Sequence, residues 1–143
     1  MVPPTAGRAR AGRSERRRLT IGRMAVDPRW MAAARQAALM LQASTRGTRG
    51  AGHSVYVVLL HDGGFPQRQG LYVGQTSRDP DWRFDQHKSG YKASGAVRRF
   101  GVQLLPDLFE HLNPLQRWES LEIEAALAEA FRHAGVDWVE GGH

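Results

Sequence analysis

The chain contains no cysteine among its 143 residues. A disulfide scaffold, a zinc ribbon and a thiol nucleophile are thereby excluded. No apolar run approaches the roughly 18 residues that span a bilayer, and the N-terminus lacks the apolar segment of a secretory signal. Lysine is nearly absent, with two against eighteen arginines. That bias goes with GC-rich coding and points to a bacterial, cytoplasmic protein. Acids are scarce at the start. Residues 1–23 hold seven arginines and one glutamate, a balance of +6 that matches the net charge of the whole chain.

What is present is the composition of one globular domain. Hydrophobic residues make up 41% and charged residues 24%, enough for a single modest core at this length. Beyond residue 23 the charges cancel in sum but not in place. Residues 46–99 carry nine basic and four acidic side chains, whereas residues 107–143 carry two basic and eight acidic. A basic half suits a polyanion, and an acidic half can supply a carboxylate for a cation. Residues 1–23, with almost no large apolar side chains, read as a disordered arginine-rich arm. It is either a grip on nucleic acid or a plain solvated tail.

Three pairs, Asp27-Pro28, Asp79-Pro80 and Asn113-Pro114, each join an N-capping side chain to a proline whose missing N–H costs nothing at a helix start. The first pair predicts a helix with an apolar stripe of Trp30, Ala34, Ala37 and Leu41. A glycine-rich linker over 44–53 follows, so residues 24–53 form a helix-and-linker segment. The third pair predicts a long helix over 113–134. Its stripe is Leu115, Trp118, Leu121, Ala125 and Ala128, extended by Leu127 and Phe131. Between them, SVYVVLL over 54–60 reads as a strand, 61–69 as a hairpin loop and 71–74 as the antiparallel partner. Residues 88–95 read as a polar loop, 100–105 as a third strand, and 136–139 as material for a last edge strand. The sum is an α+β domain over 54–143, with a small three-stranded antiparallel sheet flanked by helices.

The polar residues of interest are Tyr56 and Tyr72 on the paired strands, and Arg83 and His87 four apart on one face of the second helix. Glu124 joins them, inside the third helix between Ile123 and Ala125, where a nearly apolar setting demands a partner or a metal. Each has an ordinary reading. The tyrosines are then strand aromatics, Arg83 and His87 surface residues, and Glu124 the ion-pair partner of Arg117 or Arg132.

The ordered set resembles the GIY-YIG nuclease superfamily. Ser54-Val55-Tyr56 stands in place of the first motif and Tyr72-Val73-Gly74 in place of the second. Arg83 and His87 match the arginine and histidine of the following helix, and Glu124 within SLEIEAAL matches the metal-binding glutamate. The resemblance covers residues 54–143, about two thirds of the chain. Ser54 replaces the family's glycine, residues 57–71 make a long connection, and the family's late asparagine has no clear counterpart. The resemblance implies a metal-dependent endonuclease that hydrolyses phosphodiester bonds, or a binding module on the same fold that has lost cleavage.

The chemistry also stands on the residues. Phosphodiester cleavage needs a cation on the phosphate, a group to prepare water, and donors for developing charge. Glu124 suits one Mg²⁺, or Mn²⁺ in its place, held by oxygen and keeping most of its waters. One clearly placed acid favours a one-metal mechanism. Arg83 offers a planar fork for phosphate oxygens. The resemblance makes Tyr56 the general base; a free phenol titrates near 10, so it needs a cation close by. His87 can orient Tyr56, take the water's proton or protonate the leaving oxygen, and Tyr72 can hydrogen-bond water or phosphate. Arg78, Lys88, Lys92, Arg98 and Arg99 would hold the backbone of the nucleic acid, DNA ahead of RNA. No membrane partner and no obligate protein partner are expected.

Overall fold

The first strand, β1, is Ser54–Asp62 and the second, β2, is Arg68–Thr76. Aliphatic side chains fill β1, and from Val55 to Leu60 none is more than 1% exposed. A strand this apolar needs cover on both faces, and the helices supply it. In this computed structural model the described residues are 23–90 and 92–142. The expected disordered arm lies outside them except for Arg23.

β1 and β2 pair antiparallel without interruption from Ser54 opposite Thr76 to Asp62 opposite Arg68. β3, Gly101–Leu104, lies antiparallel on the other side of β1. β4, Val139–Gly141, runs parallel to β2 and completes the order β3-β1-β2-β4. The α+β class holds, but the expected three antiparallel strands become four in mixed orientation. The chain returns to β2 through a long helix rather than a hairpin, and such a crossover allows a parallel strand. The last strand also falls at 139–141 instead of 136–139, because Val136 and Trp138 are drawn into the core.

Two of the three cap signals start helices where expected. α1, Pro28–Met40, is capped by Asp27, which accepts the Arg29 N–H. It buries Trp30, Ala34 and Ala38. α2, Pro80–Ser89, is capped by Asp79 on the Asp81 N–H and closed by Gly90 at φ 92. A short helix, α3, then spans Gly95–Phe100 with Ser94 as its N-cap. Polar loop and strand start were expected there, and six residues give too little periodicity to betray a helix.

The third signal fails. α4 is Arg117–His133, and two 3₁₀ turns, Pro106–Leu108 and Glu110–Leu112, precede it. Asn113 does not cap a helix. Its side chain pairs with β1, accepting the Val55 N–H at 2.9 Å and donating to the Val55 carbonyl at 2.8 Å. Leu115 bridges His53 in extended pairing, so tertiary pairing overrides the local capping preference. The predicted α4 stripe holds at Leu115, Leu127, Ala128 and Phe131 and fails between them. The buried face holds Ser120, Ile123, Glu124, Leu127, Ala128 and Phe131, whereas Trp118, Leu121 and Ala125 are exposed. Three polar residues on the inner face, Glu119, Ser120 and Glu124, pull a hydrophobicity-based phase away from the true one.

Alternation along β2 assigns the layers. Gly74 and Gln75 point to opposite faces. Ser120 of α4 donates to the Gln75 side chain at 3.4 Å, so α4 covers that face, and α2 covers the face of Tyr56 and Gly74. Glu119 ties the linker to α4: its carboxylate accepts the backbone N–H and the hydroxyl of both Ser44 and Thr45, at 2.6 to 2.8 Å. Among the described residues no helix is long and apolar enough to cross a membrane.

Candidate functional site

Register alone brings the two tyrosines together. Tyr56 sits opposite Gly74 and Val58 opposite Tyr72, so the phenols are diagonal neighbours on one face. Their ring centroids are 6.1 Å apart. The Tyr56 ring crosses Gly74 so closely that a Cβ there would lie 2.6 Å from its Cζ and Oη. The glycine of Tyr72-Val73-Gly74 is therefore a steric condition for the Tyr56 rotamer.

α2 delivers His87 to the same place. Its Nε2 lies 2.8 Å from Tyr56 Oη, and its Nδ1 lies 2.8 Å from the Ser94 backbone N. A backbone N–H can only donate, so Nδ1 is an acceptor and carries no hydrogen. The neutral ring then holds its hydrogen on Nε2 and donates it to the Tyr56 oxygen. Burial, seconded by the charge of Arg83, pulls the His87 pKa down to about 4, so the ring is neutral at pH 7. Of the roles open to His87, orienting Tyr56 fits this geometry. Acting as a base does not, because neither nitrogen has a free lone pair. The rings of Tyr56, Tyr72 and His87 lie 5.7 to 6.1 Å from one another, centroid to centroid.

The resting site disfavours negative charge. Burial first, then the neighbouring Tyr72, pushes the Tyr56 phenol far above its ordinary value, with Arg83 acting against the shift. Burial also raises Tyr72. The Glu124 carboxyl, 7% exposed, is raised by burial to about 7, opposed by the Gln75 backbone N–H. The charge of Glu124 contributes to the upward shift of both phenols. The alternative ion pair for Glu124 is not formed with Arg132, which lies 3.7 Å from Glu129.

A cleft of about 430 Å³ opens in front of this group, lined by Tyr72, Arg83, His87, Lys92, Ser94 and Glu140 among others. Tyr56 and Glu124 are not among its lining residues. Arg83 Nη2 donates to the Lys92 carbonyl at 2.7 Å, and Lys92 adopts φ 44 to present that oxygen. Arg78 lies over the Trp82 ring at 5.1 Å and Arg99 over the Phe100 ring at 5.0 Å. Arg98 packs over Gly90. Lys88 differs, because its Nζ is turned onto the carbonyls of Gly101, Arg98 and Val97 at 2.9, 3.0 and 3.5 Å.

Among the described residues no three His, Cys, Asp or Glu side chains gather at a metal-binding spacing. Glu124 is a buried carboxyl whose pKa burial raises, a state that a hard cation relieves. One carboxylate suits an ion that keeps most of its water, as Mg²⁺ does. Sequence reasoning missed Ser94, whose amide fixes the His87 tautomer, and Glu140, which β4 places beside Tyr72 in the sheet. Neither carries a local signal: Ser94 depends on how the short α3 is set against α2, and Glu140 arrives through strand pairing with distant β2.

Compared with protein-family models, curated proteins and solved structures, the chain matches none.

Proposed function

We propose that the protein is a metal-dependent endonuclease of the GIY-YIG type that hydrolyses phosphodiester bonds in DNA with one divalent cation. The observation that carries this reading is the Tyr56–His87 contact of 2.8 Å, formed between β1 and α2 in the group that also holds Tyr72 and Arg83. An antiparallel β3-β1-β2 core with a helix after the hairpin accords with the family resemblance. Glu124 would hold Mg²⁺ or Mn²⁺, whose charge would lower the pKa of the carboxyl and of the phenols beside it and polarise the phosphate.

The chain's own groups do the rest. His87 donates from Nε2 to the Tyr56 oxygen and thereby steadies a phenolate. Tyr56 takes the proton of the attacking water. Arg83, on the cleft wall, meets the phosphate oxygens with its fork, and Tyr72 hydrogen-bonds phosphate or water. Arg78, Lys92, Arg98 and Arg99 neutralise neighbouring phosphates.

A second reading, a nucleic-acid-binding module without cleavage, draws on one observation: Tyr56 is 1% exposed and its phenol is held far from ionisation. Incubation with branched, single-stranded and duplex DNA, in Mg²⁺ or EDTA and beside Glu124→Ala, separates the two. The nuclease reading expects Mg²⁺-dependent cutting that Glu124→Ala abolishes. Binding with no more cutting than the variant shows would establish the module instead.

A further inference from the structure

Lys88 and His87 are consecutive on α2, and they engage α3 from opposite ends. Lys88 reaches the carbonyls at the C-terminal end of α3, those of Val97, Arg98 and Gly101. An ammonium has three donors, and three carbonyls receive them. At the N-terminal end, Ser94 gives its backbone N–H to His87 Nδ1, while its hydroxyl accepts the Val97 N–H at 3.4 Å. A helix of six residues has little stability of its own, so its placement depends on such external anchors. Turning Lys88 outward to a phosphate would strip donors from those three carbonyls.

We propose that Lys88 is a positioning residue: by anchoring the C-terminal end of α3 it keeps the Ser94 N–H on His87 Nδ1, and so fixes the ring form that donates to Tyr56. Lys88 then acts through α3 and His87 and does not grip nucleic acid. The proposal builds on the nuclease reading for its purpose, but its geometry is independent of that reading.

The test is long-range ¹H–¹⁵N spectroscopy of the histidine rings in the full chain at pH 7. Wild-type His87 is expected to show one neutral form, with hydrogen on Nε2. Ser94→Pro deletes the donor at a residue whose φ of −66 already suits proline; His87 should then show mixed ring forms. Ser94→Ala keeps the N–H and should keep the wild-type pattern. Lys88→Met should mix the ring forms as Ser94→Pro does, while leaving the salt dependence of DNA affinity unchanged.

A wild-type His87 pattern in folded Lys88→Met overturns the proposal. So does a fall in the salt slope by about one, the mark of a lost phosphate contact. If Lys88→Met does not fold, Lys88→Gln is judged by the same two outcomes. A wild-type protein that neither cuts nor binds DNA defeats the nuclease reading, yet the ring spectra still decide the role of Lys88.

Discussion

Glu119 and Glu124 stand five positions apart on α4 and are almost equally buried, at 6% and 7% exposure, yet their carboxyls move in opposite directions. Burial pushes Glu119 up, but the hydroxyls and backbone N–H groups of Thr45 and Ser44 outweigh it and bring the pKa down to about 2. The Glu124 carboxyl lies deeper, and burial, opposed only by the Gln75 N–H, raises it to about 7. The difference lies in depth and in donors together: four hydrogen bonds from Ser44 and Thr45 hold the Glu119 carboxylate, whereas burial dominates at Glu124. A buried carboxylate with a full set of partners is a structural tie; one left short of donors is poised to take a cation or a proton.

That contrast can be broken by experiment. Glu119→Ala leaves the Ser44 and Thr45 donors without their acceptor, and we expect a loss of about 3 kcal/mol in urea unfolding. A loss below about 1 kcal/mol would mean that water replaces the carboxylate. Glu124→Gln should do the reverse and raise stability at pH 8, by on the order of 1 kcal/mol. The folded state binds the Glu124 proton more tightly than the unfolded chain does. Its contribution is therefore complete below the ordinary value of 4.5 and lost as pH rises through about 7. The gain from Glu124→Gln should accordingly fade between pH 8 and pH 4.5, and a gain that does not change with pH would end the comparison.

Glu119 titrates in the opposite sense. Its contribution is present above 4.5 and disappears as pH falls toward about 2. Acid unfolding of wild type should therefore be steep between those values and flatter in Glu119→Gln. The smallest expected effect is that of Thr45→Ala, which removes the 2.6 Å hydroxyl contact and should cost about 1 kcal/mol. It should also move the Glu119 carboxyl toward its ordinary value in a ¹³C titration.

Which parts of this molecule could be read from its sequence follows from how far apart the interacting residues lie. Asp27-Pro28 and Asp79-Pro80 announce α1 and α2 because a cap and its helix are neighbours. Asn113-Pro114 carries the same local signal and misleads, because Asn113 is taken by Val55, 58 positions earlier. Glu119 meets Ser44 and Thr45 across 74 or 75 positions, so nothing beside it in the chain shows that it will be a tie. The proximity of Tyr56 and Tyr72 was legible, since a hairpin joins their strands. The hold of Ser94 on His87 was not, because it depends on how a short helix is anchored. The inner face of α4 was hidden for another reason: its polar residues look as though they belong in water.

The shortness of β4 has a consequence for the electrostatics of Glu124. The parallel ladder between β4 and β2 runs from the Leu71 N–H on the Trp138 carbonyl to the Gly142 N–H on the Val73 carbonyl. One more rung would offer the Gln75 N–H to the carbonyl of Gly142. The ladder stops first, at glycines with φ near 80, which leaves the Gln75 N–H to act on the Glu124 carboxyl and hold its pKa down against burial. The end of a strand thus works as a rheostat for an acid on another element. Extending the pairing by two residues would take that donor away and drive the Glu124 pKa higher still, whereas fraying the strand back would free further donors along the β2 edge.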